Sequence, residues 1–274
     1  MPATASVVEY PREAMRTTSL RRRRRPSLRA FTGRRTIRFD RQRKSRNAIE
    51  RANAIAPKAF VSWSSGKDSA FALYEARRRG IADVVGVLTT ITEPYDRVAM
   101  HGVRTSVLDR QISALCLPCI KIPLPSACTN AVYDARMAAA MAEIRAQGVQ
   151  HIVFGDLFLE DIRAYREEKL AAAGMHGIFP LWKRDTGRLA AEMIASGLRA
   201  HLVCVDPRKL DRRFAGREFD AQLLSEFPPG VDPCGENGEF HTVVSQGPMF
   251  NAAIAVTVGA TVERDGFIYA DVCC

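Results

Sequence analysis

The sequence has 274 residues, of which 47% are hydrophobic and 26% are charged, and its formal net charge is +10. This length and apolar content suffice for one large α/β domain, or for a core domain with a smaller second domain, and no apolar run is long enough to span a membrane. The positive charge is concentrated in residues 1–57, which hold 16 of the 40 Lys and Arg but only 4 of the 30 Asp and Glu. The remaining chain is therefore close to neutral, which argues against a folded domain that binds nucleic acid through a basic face.

The first 57 residues contain five consecutive arginines, Arg21 to Arg25, followed by Pro26, and they lack sustained apolar periodicity. Because like charges repel and little apolar surface can be buried, we predict a disordered extension. Three interpretations stay open: an arm for nucleic acid or a membrane surface, an organelle transit peptide, or residues upstream of the true translation start. The lack of an apolar stretch after the arginines argues against a secretory signal, and the odd number of cysteines, seven, favours reduced thiols and a cytoplasmic location.

From residue 58 the hydrophobic pattern predicts strands that alternate with helices. The predicted elements are a strand over 60–64, a helix over 68–79, a strand over 84–89, a helix over 105–115, a strand over 119–123, a helix over 130–147 and a strand over 151–154. This alternation is typical of βαβ units, so we predict a Rossmann-like parallel sheet over residues 58–180. Such sheets bind ligands beyond the carboxyl ends of their strands, where loops 64–69 and 155–163 are expected.

The pattern changes after residue 180, which indicates a second, smaller α/β domain over residues 181–274. Its predicted elements are a helix over 186–196, a strand over 200–205, a helix over 219–227 and strands over 240–245, 254–263 and 267–272. The dipeptide Asp265-Gly266 predicts a tight hairpin between the last two strands. Cys116 and Cys119 form a lone C-x-x-C that we interpret as packing at a strand entrance rather than as a metal or redox site.

The sharpest chemical feature is the segment Ser64-Ser65-Gly66-Lys67-Asp68-Ser69, which lies between a predicted strand and a helix start. Small residues let the backbone approach a ligand closely, and the first amides of the helix point outward unpaired. Those amides and the helix dipole favour a bound phosphate, to which Lys67 adds a mobile positive charge. The serines can donate hydrogen bonds, and Asp68 can cap the helix or help to hold Mg²⁺. We therefore predict a phosphate-binding loop.

Two common phosphate loops are excluded. A Walker loop would need Gly in place of Val61 and Ser or Thr in place of Asp68, and the dinucleotide fingerprint G-x-G-x-x-G is absent. The segment instead resembles the S-G-G-x-D-S loop of the PP-loop ATP pyrophosphatases. These adenine nucleotide alpha hydrolase-like enzymes cleave ATP between the α- and β-phosphates. Ser65 departs from the pattern, because many members carry Gly at that position.

A second unusual segment, residues 234–242, reads Cys-Gly-Glu-Asn-Gly-Glu-Phe-His-Thr. It brings Glu236, Glu239 and His241 within six residues, and its two glycines let the backbone fold tightly. Strand alternation from Glu239 predicts that Glu239 and His241 share one face. Such a cluster could bind Mg²⁺, act as an acid or base, or hold an amine, and a polar surface loop is the alternative interpretation.

Together with the phosphate loop, this segment resembles the diphthine–ammonia ligase family, whose members share a diphthamide synthase domain and a motif like C-G-E-x-G-E-F-H-T. The resemblance covers roughly residues 58–250 and includes Gly155-Asp156 after the fourth strand. It implies an ATP-dependent ligase in which a carboxylate attacks the α-phosphorus, pyrophosphate leaves, and ammonia or another amine displaces AMP. The acceptor it implies is diphthine on elongation factor 2 if the chain is archaeal or eukaryotic, and an unknown carboxylate otherwise.

The resemblance also implies roles for individual residues. Catalysis would fall to Lys67, Asp156, Glu236, Glu239 and His241. Residues 181–274 would bind the acceptor, and Mg²⁺ would be held by Asp68 and Asp156. ATP would contact Ser64, Ser65, Gly66, Lys67, Asp68, Ser69, Thr89 and Gly155.

Two other functions stay open on the same scaffold. A PP-loop enzyme that modifies tRNA would gain from a basic folded body and paired zinc-type cysteines, and the chain has neither feature. Contact with nucleic acid is therefore expected only through the N-terminal extension. A nucleotide sensor without catalysis would not need the acidic segment that contains Glu236 and Glu239, so this segment favours the ligase.

Overall fold

Strands and helices begin to alternate at Lys58, as the hydrophobic pattern predicts. The computed structural model describes residues 56–274, so the predicted N-terminal extension lies almost wholly outside the described residues. The strands are β1 (Lys58–Ser62), β2 (Asp83–Thr92), β3 (Arg97–Val98), β4 (Cys119–Leu124), β5 (His151–Val153), β6 (His176–Ile178), β7 (Arg199–Val205), β8 (Phe240–Gln246), β9 (Thr257–Arg264) and β10 (Phe267–Cys273). The α-helices are α1 (Lys67–Arg78), α2 (Thr105–Leu115), α3 (Asn130–Ala146), α4 (Glu160–Ala172), α5 (Thr186–Ala195) and α6 (Ala221–Ser225), with 3₁₀ turns at Glu93–Tyr95 and Arg212–Phe214.

The first sheet is parallel except at one edge. Its strands run in the order β4, β2, β1, β5, β6, and the short β3 pairs antiparallel with the end of β2. Consecutive residues of β1, Ala59, Phe60 and Val61, are all buried. Continuous burial is expected for a central parallel strand, because helices or other elements cover both faces of the sheet.

The strand order creates a switch point at β1. From β1 the chain proceeds to β2 and β4 on one side, whereas β5 and β6 lie on the other. Open α/β folds bind ligands in a crevice at the carboxyl end of the sheet beside such a switch point, where the loops after β1 and β5 lie. The phosphate loop and Gly155 occupy these two positions.

The second sheet is antiparallel, with the order β8, β7, β10, β9. Asp265 and Gly266 join β9 to β10 with φ angles of +52° and +78°, which confirms the predicted hairpin. One continuous hydrophobic core contains side chains of both sheets, among them Val61 and Leu202. The Rossmann-like parallel sheet with a smaller C-terminal part is therefore confirmed, while the domain boundary between residues 180 and 181 stays a prediction.

Several element boundaries differ from the predictions, and β3, α4, β6 and both 3₁₀ turns were not predicted. The segment 155–163 is not all loop, because α4 begins at Glu160 and is followed by β6. Only Leu170 of α4 is buried, so the helix lacks the apolar stripe that would reveal it in the sequence. Thr129, rather than Asn130, caps α3 by accepting a hydrogen bond from the Val132 amide. No helix among residues 56–274 is long and apolar enough to span a membrane.

Candidate functional site

The phosphate loop makes a tight turn between β1 and α1. Ser65 has a φ of +67°, a left-handed conformation that costs a residue other than glycine about 1 kcal/mol. The hydroxyl oxygens of Ser64 and Ser69 lie 3.1 Å apart, and Ser69 donates to the Gly66 carbonyl at 2.9 Å. Ser65 therefore adopts the backbone conformation that glycine favours at the position where many PP-loop proteins carry glycine.

Lys67 is the first residue of α1, and its side chain is 2% exposed. Its Nζ lies 2.9 Å from the Asp68 carboxylate and also donates to the Cys234 carbonyl. Burial lowers the pKa of Lys67, but attraction to Asp68, Cys234 and Glu236 outweighs this effect and raises the pKa above its ordinary value. The buried ammonium group therefore keeps its positive charge at neutral pH.

Strand β8 packs directly against the phosphate loop through backbone and side-chain hydrogen bonds. The Lys67 amide donates to the Thr242 hydroxyl at 3.1 Å, and the Val244 amide donates to the Ser65 carbonyl at 2.9 Å. The side-chain amide of Gln111 donates to the Ser65 and Val244 carbonyls at 3.1 and 2.7 Å. The two segments singled out in the sequence, 175 residues apart at Lys67 and Thr242, thus form one site.

Gly155 and Asp156 border the loop from the end of β5. A Cβ atom on Gly155 would lie 2.6 Å from the Asp68 carbonyl carbon and 2.8 Å from the Ser69 amide nitrogen, so only glycine fits this close approach. The Asp156 carboxylate lies 2.9 Å from Nε of Arg166. The structure thus brings Gly155 to the start of α1 and pairs Asp156 with an arginine.

Glu236 connects the second segment to the loop after β5. Its carboxylate accepts hydrogen bonds from the amides of Leu157 and Phe158 at 2.7 and 3.3 Å. Burial, followed by repulsion from Asp68 and Asp156, raises the pKa of Glu236 to about 7 despite these two bonds. This carboxyl group therefore exchanges its proton near neutral pH, as a general acid or base must.

Glu239 has different surroundings from those predicted. Strand β8 begins at Phe240, so the strand alternation that would put Glu239 and His241 on one face does not extend to Glu239. Its Oε1 accepts from the Asp232 amide and the Asn237 side chain, both at 3.1 Å, and the residue is 3% exposed. These bonds hold the segment 232–239 in its folded shape.

The His241 ring lies against the His101 ring, with centroids 4.6 Å apart and ring planes inclined by 36°. Nδ1 of His101 lies 3.1 Å from the Thr242 carbonyl, which only accepts, so this nitrogen carries the proton. A Cβ on Gly66 would lie 2.7 Å from Cε1 of His101, which places the ring directly against the phosphate loop. Burial lowers the pKa of His101 to about 4, and burial with repulsion from His101 and Lys67 lowers the pKa of His241 well below its ordinary value. Both rings are therefore neutral at neutral pH.

Thr89 lies in β2 beside the start of the loop, next to Leu88, whose carbonyl accepts from the Trp63 amide at 2.8 Å. Its side chain is 3% exposed, and its hydroxyl has no hydrogen-bond partner within residues 56–274. The hydroxyl of the fully buried Ser65 also has no hydrogen-bond partner within residues 56–274. Two buried hydroxyls near the crevice are thus available to a ligand.

The carboxylates around Lys67 do not form a complete metal-binding site by themselves. Among the described residues, no group of three or more His, Cys, Asp or Glu side chains could hold a metal ion. Asp68 and Asp156, the predicted Mg²⁺ ligands, are bonded to Lys67 and Arg166. Burial and repulsion from Asp232 raise the pKa of Asp68, which shows that negative charge is concentrated here. Oxygen donors of this kind fit a Mg²⁺ ion whose other ligands come from a nucleotide.

Sequence reasoning gave no definite role to three residues of this site. Thr242 ended the second motif without an assignment, and Asp232 lay in a loop rich in Pro, Gly and acidic residues. His101, just before a helix, was left open between a residue that approaches the nucleotide and an ordinary surface histidine. Only Thr242 offered a usable signal, because it follows His241 in the motif. The structure identifies His101 and Asp232 through their hydrogen bonds to Thr242 and Glu239.

A parallel α/β sheet with a phosphate loop of the S-S-G-K-D-S type at its switch point defines a Rossmann-like protein of the PP-loop class. Comparison with protein families gives a narrower assignment. Residues 57–176 match the diphthamide synthase N-terminal domain, and residues 185–270 match the diphthamide synthase C-terminal domain. The chain belongs to the diphthamide synthase family.

Two relatives carry the name diphthine–ammonia ligase. The protein from Danio rerio is 33% identical over 121 residues, which are 42% of this chain and 47% of that protein. The protein from Schizosaccharomyces pombe is 33% identical over 95 residues, which are 33% of this chain and 16% of that protein. The matched part therefore spans less than half the length of either relative.

Proposed function

We propose that this protein is an ATP-dependent ligase that adenylates a carboxylate, releases pyrophosphate and then forms an amide. The observation that carries the proposal is the contact between the two halves of the site. The buried, charged Lys67 bonds to the backbone of the second segment at Cys234, and Thr242 accepts from the Lys67 amide. An enzyme that transfers an acyl group from a nucleotide to an amine needs its phosphate-binding group and its acceptor-binding group side by side.

The phosphate loop would bind the β- and γ-phosphates of ATP. Three features support this binding: the N-terminus of α1, the charged Lys67, and the hydroxyls of Ser65 and Thr89, which have no partner among the described residues. Charge that builds up on the departing pyrophosphate would be stabilised by fixed positive groups that need no reorganisation during the reaction. Ser64, Gly66 and Ser69 complete the loop that would hold these phosphates.

Mg²⁺ would join the site with ATP, using the carboxylates of Asp68 and Asp156 together with phosphate oxygens. Mg²⁺ usually combines one or two carboxylates with substrate phosphates and water, so two protein ligands suffice. When bound, the ion would supply further positive charge at the phosphates. Binding requires Asp68 and Asp156 to exchange part of their contact with Lys67 and Arg166 for the ion.

Glu236 would serve as the general base in the amide-forming step. The carbon–nitrogen bond forms as ammonia attacks the acyl-adenylate, the bond from the acyl carbon to the AMP oxygen breaks, and Glu236 takes the proton that nitrogen loses. A carboxylate with a pKa of about 7 is matched to this task at neutral pH. Glu239 would hold the segment in shape, and His241 would contact the acceptor.

The proposed acceptor is diphthine and the proposed amine is ammonia, because both relatives are named diphthine–ammonia ligases. The family resemblance implies that this diphthine belongs to elongation factor 2. A cytoplasmic location agrees with this acceptor. It is supported by the seven cysteines, all of which are free thiols in the structure.

The test is ATP–pyrophosphate exchange with diphthine-bearing elongation factor 2 as the acceptor. We expect exchange by the wild-type protein and a loss of about 10²–10³-fold in Lys67→Ala, because one fixed charge at the leaving group is removed. Lys121→Ala is the matched control, since Lys121 is 42% exposed on β4 and pairs with Asp109.

The products of the same reaction separate the competing functions. AMP, pyrophosphate and an amidated elongation factor 2 support the ligase. Bound ATP that is never cleaved would indicate the nucleotide sensor, and cleavage stimulated by tRNA would indicate the tRNA-modifying enzyme. Equal exchange in Lys67→Ala and the wild-type protein would refute the role of Lys67.

A further inference from the structure

Two carboxylates border the phosphate loop, and each is paired with a cation. Asp68 lies 2.9 Å from Nζ of Lys67, and Asp156 lies 2.9 Å from Nε of Arg166. The proposed function gives Lys67 a place at the phosphates of ATP, but it leaves Arg166 without a role. Because both carboxylates are proposed to bind Mg²⁺, both cations would then become available to the phosphates.

Aromatic rings at the ends of two strands support the Arg166 side chain. Arg166 belongs to α4, and its guanidinium carbon lies 4.6 Å from the centroid of the Phe154 ring, which follows β5 directly. Phe154 is buried and stacks on Phe179, which follows β6, with ring centroids 5.3 Å apart and planes inclined by 18°. A cation over the face of an aromatic ring is attracted to it. The guanidinium is therefore held beside the carboxyl end of the sheet, and its side chain is only 21% exposed.

Asp156 brings this guanidinium close to the first turn of α1. Gly155, the residue before it, abuts the backbone of Asp68 and Ser69 with no space for a Cβ. Oδ2 of Asp156 is buried and accepts no hydrogen bond within residues 56–274, so this oxygen can take a ligand. Neighbouring ligands of an octahedral Mg²⁺ lie about 3 Å apart. A phosphate oxygen on the same ion as Asp156 would therefore be within reach of the group that now pairs with this carboxylate.

We propose that Arg166 is a second phosphate-binding cation, whose guanidinium moves from Asp156 to a phosphate oxygen of ATP when that carboxylate binds Mg²⁺. This inference rests on the proposed function. ATP keeps a net negative charge after it binds a Mg²⁺ ion, and a planar guanidinium can donate two parallel hydrogen bonds to a phosphate. Lys67 at the start of α1 and Arg166 of α4 would then stabilise the charge of the departing pyrophosphate from two separate elements.

The first experiment is a calorimetric titration of the full chain with α,β-methylene ATP, which cannot be cleaved between its α- and β-phosphates, in the presence of Mg²⁺. We expect Arg166→Gln to bind this analogue about tenfold more weakly than the wild type, because one charge-assisted hydrogen bond is lost, and to bind adenosine equally well. Arg78→Gln is the matched control and should bind both ligands as the wild type does. Nε of Arg78 also lies 2.8 Å from a carboxylate, that of Glu75, and its guanidinium also lies over a ring, that of Tyr74, but at the far end of α1.

The outcomes separate this proposal from the proposed function. If the wild type and Arg166→Gln bind the analogue equally, only the role of Arg166 fails. An equal loss of adenosine and analogue binding would also overturn it, because Arg166 would then support the shape of the site rather than bind a phosphate. A wild-type protein that does not bind the analogue would refute the proposed function itself.

A second experiment separates a contact with phosphate from simple neutralisation of Asp156. Arg166→Gln leaves the Asp156 carboxylate unpaired, and this charge would itself repel the phosphates. Asp156→Asn removes the charge but keeps a side-chain oxygen for the ion. We expect Arg166→Gln to weaken binding of the analogue about tenfold in the Asp156→Asn protein as well. If the loss disappears in that background, Arg166 only neutralises Asp156 and does not bind the nucleotide.

Discussion

At the scale of single residues, the site concentrates buried charges of both signs around Lys67. The carboxyl groups of Asp68 and Glu236 both have raised pKa values. Burial is the main cause for each, with added repulsion from Asp232 for Asp68 and from Asp68 and Asp156 for Glu236. The ammonium of Lys67 keeps its charge because these same groups attract it. Strongly shifted pKa values of neighbouring acidic and basic groups are characteristic of functional sites.

Glu236 should make the folded protein less stable as the pH rises. Its pKa is about 7 in the folded state against 4.5 as the ordinary value, so between these values the folded protein holds a proton that the unfolded chain releases. The stability that this proton contributes is present below pH 4.5 and is lost as the pH rises to about 7. We expect Glu236→Gln to match the wild type near pH 4.5 and to exceed its free energy of unfolding by about 3 kcal/mol at pH 8.

The measurement is urea unfolding at a series of pH values, followed for both proteins under identical conditions. Glu168→Gln is the control, because Glu168 is exposed on α4 and its replacement should leave the pH profile unchanged. If Glu236→Gln and the wild type differ by a constant amount across this range, the carboxyl group does not titrate as the site geometry implies.

At the scale of elements, the crevice depends on how closely the end of β5 approaches the start of α1. Gly155 lies against the Asp68 backbone with no room for a methyl group. This approach keeps the loop after β5 beside the first turn of α1, where Asp156 and the amides bonded to Glu236 border the phosphate loop. One glycine thus determines the width of the proposed nucleotide site.

Gly155→Ala should therefore destabilise the protein and weaken nucleotide binding together. The added Cβ would lie under 3 Å from backbone atoms of Asp68 and Ser69, which cannot move without shifting α1. We expect a loss of about 3 kcal/mol in the free energy of unfolding and weaker binding of a non-hydrolysable ATP analogue. Urea unfolding and equilibrium titration measure the two effects.

Gly187→Ala provides the comparison, because the nearest atom to its new methyl group would be an Asp185 oxygen at 3.5 Å, an ordinary contact. Gly187 lies in α5, where alanine is the better helix former, so this variant should be as stable as the wild type or slightly more so. Similar losses in both variants would show that the contact at Gly155 has no special role.

The sequence predicted most elements because their core faces carry clear periodicity. The helix over 105–115 was predicted at its observed bounds, since Val107, Leu108 and Leu115 form a buried stripe. The polar helix α4 was missed because Leu170 is its one buried residue, so its sequence shows no apolar stripe. In the site, Lys67 and Glu236 could be identified by their chemistry. The contact of Lys67 with Cys234 could not be predicted from the sequence, because the accepting group is a backbone carbonyl, which every residue type carries.

At the scale of the whole molecule, Gln111 joins the two sheets through the site. It is fully buried in α2, accepts from the Trp63 indole at the end of β1, and donates to Ser65 in the loop and Val244 in β8. The stability of the parallel sheet, the phosphate loop and the antiparallel sheet is therefore coupled at one side chain. Buried polar networks of this kind specify a unique arrangement when every member is bonded.

Gln111→Leu tests this coupling, because leucine has a similar size but leaves the Trp63 indole and the Val244 carbonyl without their partner. Burying such groups unpaired should lower the free energy of unfolding by about 3 kcal/mol and weaken binding of the ATP analogue, although Gln111 is not proposed to touch the nucleotide. Gln222→Leu, at an exposed residue whose side chain bonds to Glu226 within residues 56–274, should change neither quantity. If Gln111→Leu lost stability but bound the analogue as tightly as the wild type, β8 would not support the loop, and the two sheets would share a core without sharing a site.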